Sequence, residues 1–542
     1  MDGMPSVGLD GTPSGEGGNP GVAPGTGGAE PLGGGGGAQL KAALVAEARR
    51  LGFVAVGVAA ATPQLDLAAL LRRRQALGMA TPWEDPDPVR RTDPESLLPG
   101  ARSVVAVAMA YDPPGRGPRG GAAAGGDAGG LRGYVAAAGR TRSYQHVMGR
   151  RLEALGRWLE ARVPGCRWAV QVDTGPLVDR AWAERAGIGW IGKNACLIVP
   201  GWGSWVFLGE LVTDVALPPD QPLADACAGC DRCLRACPTG AFLGPRQLDP
   251  RRCISFLSQK PGMLDAEERA ALGQSLYGCD ACQVVCPFNH PARPGHPALR
   301  LAGGGDPRAG ELAVGRFGAA ADEPAPAPDA AAGEGPAPEA AAGGGSTAPN
   351  RPLAGPPREA ADEPAGGPTA PRGEGDAPGL APPEGDALAR PPLVPLLQMG
   401  RAAFQARYRP LTGAWRGRKT WQRNAIVALG NRGPGARAAV PALAALLRDD
   451  PRPDIRALAA WALGRIGGDE AGKALRAARD RDADPQVCRA AAEALGRLAA
   501  ERARRPALAP AATGRGAAPK DGAARPGAGR GGPGDENLTL QA

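Results

Sequence analysis

The sequence predicts an α/β core, then a ferredoxin-type domain built around two cysteine runs, and then a C-terminal α-helical domain of HEAT-like repeats, with long disordered segments between and around them. Three observations lead to this prediction. Helix and strand patterns alternate between residues 39 and 220, two cysteine runs that each end in Cys-Pro lie between residues 221 and 302, and the triplet Ala-Leu-Gly recurs at residues 428, 462 and 494. Alternating elements favour an α/β core, and repeat intervals of 34 and then 32 residues are typical of a helical solenoid.

Low-complexity sequence separates these parts. The chain has 83 Gly and 58 Pro among its 542 residues, and segments of that composition bury too little apolar surface to fold. We therefore predict a disordered N-terminal arm (residues 1–38), a flexible insertion in the core (113–130), a disordered insertion (303–390) and a disordered basic tail (503–542). The folded parts are then the core (39–220), the cysteine domain (221–302) and the helical domain (391–502).

Composition also limits the class of protein. No apolar run approaches the roughly 18 to 20 residues that span a bilayer, and no charged-then-apolar signal opens the chain, so we expect a cytoplasmic protein with no membrane partner. A net charge of +8 and a pI near 9.1 permit a polyanionic partner. The three His residues of the chain argue against a histidine-based metal site.

The core begins with helices predicted at residues 40–51, 65–77 and 143–163 and strands at 53–58, 103–111 and 168–172. Asp173 directly follows the last of these strands, where α/β folds place ligands and chemistry. The alternative is that Asp173 is a turn residue or the N-cap of a helix starting near Leu177, a role that Asp179 could also take. The residues alone leave both interpretations open.

A glycine-rich segment follows at residues 185–194. Gly187, Gly189 and Gly192 invite comparison with a phosphate-binding loop, but that fingerprint places its glycines between a strand and the helix that follows. Here the glycines close a helix and precede a strand predicted at 195–199. They either let the backbone lie flat against a broad ligand or cap the helix, and spacing does not decide between the two.

The cysteine runs have the spacing of iron–sulfur sites. Residues 227–238 match the bacterial ferredoxin pattern C-x2-C-x2-C-x3-C-P, in which the fourth Cys ligates the other cluster. The second run has Leu276 where its first Cys would stand, and Cys253 is the predicted substitute. The crossing rule then gives two sets: Cys227, Cys230, Cys233 and Cys286 for one cluster, and Cys237, Cys253, Cys279 and Cys282 for the other. Structural zinc and disulfides are the alternatives, but interleaved four-Cys runs and a cytosolic location favour clusters.

The first helical repeat opens with basic residues interleaved with two Trp, in segment 415–424. Such a patch suits phosphate contacts and base stacking. Its candidate nucleic-acid contacts are Arg416, Arg418, Lys419 and Arg423. The alternative is a solvated charged helix whose Trp side chains lie in the core.

Taken together, the chain resembles the epoxyqueuosine reductase family, whose members catalyse the last step in making the tRNA base queuosine. The resemblance covers about residues 40–302 and 391–498. It is carried by segments 172–176 (VDTGP), 185–194 (RAGIGWIGKN), 227–238 (the first cysteine run), 252–257 (RCISFL), 276–283 (LYGCDACQ) and 422–430 (QRNAIVALG).

The resemblance implies a cobalamin, two [4Fe-4S] clusters that deliver electrons to it, and a tRNA carrying epoxyqueuosine. The epoxide oxygen would leave as water after a two-electron reduction, with Asp173 as the acid that protonates it, and the modified base would be flipped into the site. Arg91, Lys193 and Asn194 fall in segments that resemble the family's cobalamin-binding surface. The basic patch becomes the candidate tRNA contact. We also expect a monomer that takes electrons from a flavodoxin- or ferredoxin-type donor.

The chain departs from the family pattern at one helix start. Tyr144-Gln145 stands where the family commonly has Tyr-His, with His146 one place on. The chain has no Asp-x-His-x-x-Gly motif, so no His beneath the cobalt is predicted, and the family lacks the insertion at 303–390. Two other functions stay open: a cobalamin- and iron–sulfur-dependent reductive dehalogenase, and a ferredoxin-like electron carrier, which would need neither Asp173 nor the glycine-rich segment.

Overall fold

The structure is a computed structural model that describes residues 34–114, 130–290, 293–300 and 386–504. The predicted arm, core insertion, long insertion and tail lie outside these residues except at their edges. At two of those edges a helix begins earlier than predicted: one starts at Gly34, within the predicted arm, and another covers Asp386–Ala389, at the end of the predicted insertion.

The described strands are β1 Ala55–Ala60, β2 Ser103–Ala110, β3 Tyr134–Val135, β4 Trp168–Gln171, β5 Trp190–Ile191, β6 Leu197–Ile198, β7 Val206–Thr213, β8 Phe242–Gly244, β9 Gln247–Leu248 and β10 Ser275–Tyr277. The described helices are α1 Gly34–Arg50, α2 Leu65–Ala76, α3 Tyr144–Glu160, α4 Asp179–Arg185, α5 Arg232–Ala236, α6 Ile254–Leu257, α7 Ala266–Leu272, α8 Ala281–Val284, α9 Asp386–Ala389, α10 Leu393–Gln398, α11 Arg401–Tyr408, α12 Gly417–Arg432, α13 Val440–Asp449, α14 Pro453–Ile466, α15 Asp469–Arg481 and α16 Pro485–Arg504.

The core is built on a four-stranded sheet in the order β1-β2-β7-β4. Every pairing in it is antiparallel, with Val104 opposite Val212 and Gln171 opposite Glu210. This corrects the argument that placed Asp173 at the carboxyl edge of an α/β sheet, because that rule concerns parallel strands. The sequence analysis also missed β7, the strand that joins β2 to β4.

Helices cover both faces of this sheet. Along β2 every residue is buried, and successive side chains point to opposite faces. Val105, Val107 and Met109 pack in a core with helices α1 and α3. Val104, Ala106 and Ala108 pack in a second core with Trp182 and Ala183 of α4. The strand reads as a continuous apolar run because both of its faces are covered.

The cysteine domain and the helical domain share one hydrophobic core. It runs from Val135 of β3 through Leu257 and Leu276 to Trp421 and Leu463 of the helical repeats. Strand β10 pairs in parallel with β3, and isolated bridges tie residues 132 and 142 to residues 392 and 411. The described residues from Gly34 to Leu498 accordingly belong to one compact unit.

The first two of the repeated Ala-Leu-Gly triplets have a packing reason. A Cβ added to Gly430 would lie 2.3 Å from the Trp461 ring, and one added to Gly464 would lie 2.5 Å from the Ala494 Cβ. Each glycine therefore lets the helix of the next repeat approach closely. Within the described part of the chain, no helix is long and apolar enough to cross a membrane.

Candidate functional site

Asp173 lies in a strained turn between β4 and α4. Its φ is +62°, a left-handed conformation that non-glycine residues seldom adopt and that clusters at functional sites. The Asp173 N–H donates to Asp179 Oδ2 at 3.0 Å, while its exposed side chain accepts from Gln145 Nε2 at 3.3 Å. Asp173 is not the N-cap of α4, since Val178 holds that position. Its carboxylate is therefore free of the capping role and presented to solvent.

Beneath this turn, Gln171 joins two further carboxylates. Its Nε2 donates to Asp179 Oδ1 at 2.5 Å and reaches Glu210 Oε2 at 3.3 Å. Glu210 is fully buried on β7. Among the described residues neither carboxylate has a hydrogen bond or ion pair to Lys or Arg. The sequence analysis missed Glu210, although a charged residue inside the apolar run of β7 was a usable signal.

Burial sets the protonation of these two carboxyls. It raises the pKa of Asp179 to about 7, with the Asp173 charge as the next cause. It also raises the pKa of Glu210 well above its usual value, helped by the charge and hydrogen bond of Asp179. The Asp179–Glu210 pair therefore retains a proton near neutral pH. We call these residues, with Gln171, the carboxyl network.

Two tyrosines flank Asp173. Tyr144 stacks on Phe207 with ring centroids 3.8 Å apart; burial, followed by the Asp173 charge and hydrogen bond, raises the pKa of its hydroxyl. Burial and then the Asp173 charge likewise raise the pKa of Tyr277, while the nearby Trp415, whose indole N–H donates to Gln259 Oε1 at 2.7 Å, opposes this. Helix α3 and strand β10 thus each bring a protonated hydroxyl to Asp173. His146, one residue beyond Gln145, is exposed.

Three arginines lie together near the start of α4. Arg91 pairs with Glu84, and Arg74 donates to the carbonyl of Leu248 at 3.3 Å. Arg180 is solvent-exposed, and within the described ranges its side chain has no hydrogen bond or ion pair. Desolvation by the surrounding protein, then the charge of Arg74, lowers the pKa of Arg180. An unpartnered guanidinium beside two other arginines suits a ligand rich in phosphate or carbonyl oxygens.

The structure brings the eight predicted cysteines together in the two predicted sets of four. The first set lines a single cavity, and its members are Cys227, Cys230, Cys233 and Cys286. The second set lies close enough for its thiols to interact electrostatically, and its members are Cys237, Cys253, Cys279 and Cys282. A fifth thiol, that of Cys196, lies beside Cys282. We call these the first and second cysteine sites. In the described ranges no three Cys, His, Asp or Glu side chains converge as they would on a single metal ion.

Lys193 and Asn194, expected to contact cobalamin, line the cavity of the first cysteine site. Lys193 Nζ donates to the carbonyl of Ala228 at 2.5 Å. Asn194 is buried, and its Oδ1 accepts from the Cys196 N–H at 3.2 Å. Their contact with cobalamin stays a prediction, whereas their place beside the first cysteine site is an observation.

The glycine-rich segment packs within the protein. Gly187 has a φ of +69°, its N–H donates to the Glu184 carbonyl at the end of α4, and a Cβ there would lie 2.4 Å from the Gln221 carbonyl oxygen. A Cβ at Gly189 would lie 2.4 Å from the Ile198 carbonyl oxygen. The capping interpretation therefore accounts for Gly187, and close packing against β6 accounts for Gly189.

The basic patch divides into exposed and buried parts. Lys419 is exposed, and Arg418 is half-buried and donates to Gln422 at 3.4 Å. Arg416 lies between the rings of Trp83 and Trp415, 5.8 and 5.1 Å from their centroids. In the described part of the chain the Arg416 guanidinium has no hydrogen bond or ion pair.

Arg423 is a correction to the predicted tRNA contacts. Its side chain is buried, and it donates to the carbonyls of Lys260 at 2.6 Å and Gly262 at 2.5 Å, and to those of Leu257 and Ser258 at 3.2 and 3.4 Å. A guanidinium held in this way cannot reach a phosphate. The physical reason is that the segment after α6 packs over this part of α12, which the sequence of α12 does not reveal.

The family model described as "Epoxyqueuosine reductase QueG" matches residues 91–174, a 4Fe-4S double cluster binding domain matches residues 226–289, and HEAT repeats match residues 418–512. The epoxyqueuosine reductase of Bacillus cereus is 34% identical over 450 residues, which cover 82% of this chain and 93% of that protein. That of Bacillus subtilis is 33% identical over 449 residues, which cover 82% of this chain and 92% of that protein.

Solved structures give the same result. A selenomethionine-labelled epoxyqueuosine reductase, and an epoxyqueuosine reductase with an epoxyqueuosine-modified tRNA-Tyr stem loop, each align with a TM-score of 0.65 and 32% identity. Each alignment covers 85% of this chain and 99% of the other. A third, from Bacillus subtilis, was solved with its catalytic aspartate loop swung out of the active site; it aligns with a TM-score of 0.64 and 31% identity, over 85% of this chain and 99% of that one.

Proposed function

Because this chain belongs to the epoxyqueuosine reductase family, we propose that it removes the epoxide oxygen of epoxyqueuosine in the anticodon loop of a tRNA by two-electron reduction, giving queuosine and water. The observation that carries this proposal is the Asp173 turn. A carboxylate stands exposed on a strained turn, in the same compact unit as the two sets of four cysteines. The electron carrier alternative does not account for the strained turn or for the network beneath it.

The cysteine sites fit the two [4Fe-4S] clusters that the matched double cluster domain contains. Four thiols line one cavity at the first site, and the other four lie together at the second. We assign one cluster to each set. Bound there, the clusters supply electrons one at a time, and a flavodoxin- or ferredoxin-type protein is the proposed donor.

Cobalamin is proposed from the family resemblance, and the arginines at the start of α4 fit it in part. Within the described residues the Arg180 guanidinium has no hydrogen bond or ion pair, and Arg91 lies beside it. These two side chains would hold amide carbonyl oxygens of the corrin or the phosphate of the nucleotide loop. When bound, cobalamin would supply a strongly reducing cobalt centre as the source of the two electrons that the reaction consumes.

The proposed role of the carboxyl network is to supply a proton to Asp173 during the reaction. Turning the epoxide oxygen into water needs two electrons and two protons. In the proposed mechanism the Asp173 carboxyl donates one proton to the oxygen as its C–O bond breaks, and Asp173 must be reprotonated before it can donate the second. The Asp179–Glu210 pair lies beneath the turn and retains a proton near neutral pH, so it is the proposed reserve.

Asp179 also holds the turn in place, because its Oδ2 accepts the Asp173 N–H. One relative has a catalytic aspartate loop that swings out of the active site, and we propose that the Asp173 turn moves in the same way. Gln145 replaces the family's usual His and donates to Asp173 at 3.3 Å. A neutral amide can orient this carboxylate but cannot supply it with a proton, which leaves that task to the carboxyl network.

The tRNA surface is proposed around Trp83 and Trp415. These rings are exposed and lie 5.7 Å apart, edge to face. The Arg416 guanidinium lies beside both rings and has no hydrogen bond or ion pair within the described residues. Exposed aromatic rings offer base stacking, and Arg416, Arg418 and Lys419 offer phosphate contacts. Trp415 and Asp173 both influence the pKa of Tyr277, so this surface lies near a neighbour of Asp173. A tRNA substrate also places the proposed reaction in the cytoplasm.

The test is anaerobic turnover of tRNA carrying epoxyqueuosine by protein reconstituted with iron, sulfide and cobalamin. We expect the wild type to form queuosine and both Asp173→Asn and Asp173→Ala to lose turnover while keeping iron and cobalamin. Asp66→Asn, on the exposed side of α2, is the matched control and should turn over normally. Undiminished turnover by Asp173→Ala would remove Asp173 as the acid, and turnover of halogenated aromatics without any queuosine would favour the dehalogenase alternative.

A further inference from the structure

Asn194 carries a buried amide group that the fold itself does not satisfy. The residue is 4% exposed. Its Oδ1 accepts from the Cys196 N–H at 3.2 Å, which fixes which end of the amide is oxygen. Among the described residues, the buried Nδ2 has no hydrogen-bond partner. A buried N–H group without an acceptor destabilises the folded protein, so its presence calls for a reason.

The turn that presents Asn194 is tight and strained. Gly192 N–H donates to the Cys196 carbonyl at 2.9 Å, and Ala195 N–H donates to the Gly192 carbonyl at 2.8 Å. Ala195 has a φ of +61°, which is unusual for a residue with a Cβ. The turn therefore holds the Asn194 side chain in one orientation, at a cost in backbone strain.

That orientation places Asn194 in the lining of the first cysteine site. The cavity is bounded by Cys227, Cys230, Cys233 and Cys286 together with Asn194. Ile198 and Phe288 complete its apolar side. A cluster bound in this cavity would bring sulfur atoms that can accept a hydrogen bond. Among the described residues the Asn194 Nδ2 group has no other acceptor.

We propose that Asn194 Nδ2 donates a hydrogen bond to a sulfur atom of the cluster held at the first cysteine site and thereby raises that cluster's reduction potential. An N–H dipole aimed at the cluster stabilises the electron that reduction adds, and hydrogen bonds to the sulfurs are among the factors that set cluster potentials. Asn194 is then a positioning residue for electron transfer. This inference rests on the proposed iron–sulfur assignment and not on the proposed substrate.

The second cysteine site shows the same kind of contact from the backbone. Ala241 N–H donates to Cys237 Sγ at 3.3 Å. That contact does not depend on a side chain, so a substitution at Asn194 leaves it unchanged. The second cluster of the same molecule therefore serves as the internal control, most directly in Asn194→Asp, which keeps a side-chain acceptor for the N–H of Cys196, the residue beside Cys282.

The experiment is an anaerobic redox titration of full-length reconstituted protein, followed by electron paramagnetic resonance. Asn194→Leu removes the donor at similar volume, and Asn194→Asp replaces it with a negative charge. We expect the first cluster's potential to move to more negative values in the order wild type, Leu, Asp, with the second unchanged. Each preparation should first contain about eight iron atoms per chain. A first-cluster potential that is the same in all three proteins, or equal shifts of both clusters, would overturn the proposal.

A second measurement does not depend on the variants loading iron. In wild-type protein labelled with 15N-asparagine, pulsed resonance of the reduced first cluster should show coupling to one side-chain nitrogen. That coupling should be absent after labelling with 15N only in the backbone. If the side-chain coupling is missing from the wild type, no N–H···S bond from Asn194 exists. Because no tRNA is present, failure here is distinct from failure of the proposed reaction, which the turnover assay measures.

Discussion

The two cysteine sites arise from similar sequence runs but lie in different surroundings. The first site borders the core: Lys193 and Asn194 line its cavity, and the preceding residues 221–226 are exposed. The second site borders the helical domain. Helix α6 starts directly after Cys253, and Arg423 and Asn424 of α12 donate to the carbonyls at the other end of α6.

This difference shows that the helical domain has two roles. One part of α12 braces the second cysteine site, since Asn424 Nδ2 also donates to the carbonyl of Leu276, in strand β10 just before Cys279. In the described ranges, no hydrogen bond joins α10–α16 to the cysteines of the first site. The helical repeats therefore contribute to the cysteine domain's structure as well as to the proposed tRNA surface.

The largest expected effect comes from removing one ligand from each site. Cys286→Ser should lose the first cluster and Cys253→Ser the second, each leaving about half of the iron and no turnover. Iron analysis and resonance spectra of the remaining cluster measure this. Cys237→Ser tests the crossing between the runs. Its spectrum should match that of Cys253→Ser, and a match with Cys286→Ser would contradict the two sets.

Replacing Arg423, which joins α12 to the segment next to the second cysteine site, should have the next largest effect. Burial lowers the pKa of Arg423 to about 10, yet the guanidinium is held by several carbonyls, and Arg423→Met would leave them without a donor. We expect a loss on the order of 3 kcal/mol in unfolding free energy, with iron lost from the second site before the first. Melting temperature and iron content measure both effects.

The matched control for Arg423→Met is Lys419→Met, on the exposed part of the same helix. Its stability should stay within about 0.5 kcal/mol of wild type. Equal destabilisation of both variants, or iron loss shared equally by both sites, would show that α12 does not brace the second site specifically.

The difference between exposed and buried basic residues in α12 could not be predicted from local sequence. Lys419 and Arg423 are four residues apart, about one helical turn, and so lie on roughly the same side of the helix. Lys419 is exposed and Arg423 is buried, because the segment that covers Arg423 comes from residues 257–262. Local spacing predicts which residues share a face, but not which remote segment packs on that face.

The same limit applies to the core and the site. The predicted sets of cysteines lie together in the fold, while their role as cluster ligands stays a prediction, and the Ala-Leu-Gly repeat predicted the helical repeats. Hydrophobic pattern predicted the strands on either side of β7 but not their antiparallel order, since strand pairing is a long-range property. Glu210 and Arg180 were missed for this reason: their significance depends on Asp179 and Arg91, which the fold brings to them.

A smaller effect is expected from a change in the proposed tRNA surface around Trp83. Phe256 of α6 packs against Trp83 at 5.3 Å, so the proposed tRNA surface lies on the segment that carries Cys253. Trp83→Ala should weaken binding of an anticodon stem loop about tenfold, because stacking on an aromatic ring contributes about 1–3 kcal/mol, with iron content unchanged. Fluorescence anisotropy of a labelled stem loop measures the affinity.

Two further variants make this result specific. Trp83→Phe should retain most of the affinity, and Leu70→Ala, an exposed apolar side chain on α2, should retain all of it. Unchanged RNA affinity with weakened cobalamin binding in Trp83→Ala would assign the ring to the cofactor instead of the tRNA.

The pH dependence of stability tests the carboxyl network separately from both cysteine sites. The pKa of Asp179 is raised to about 7 in the folded protein, by burial and then by Asp173, whereas an unfolded Asp titrates near 3.9. The folded protein therefore binds this proton more tightly. The resulting stabilisation is complete below about pH 4 and is lost as the pH rises towards about 7.

Asp179→Asn removes this titration. We therefore expect the stability of wild type relative to Asp179→Asn to fall between pH 5 and pH 8, by on the order of 2 kcal/mol, as measured by melting temperature at each pH. Asp66→Asn should show no such trend, because its side chain is exposed. Iron content should be the same in all three proteins, since the carboxyl network does not contact either cysteine site. A pH-independent difference would mean that Asp179 is ionised throughout this range and cannot be the proton reserve for Asp173.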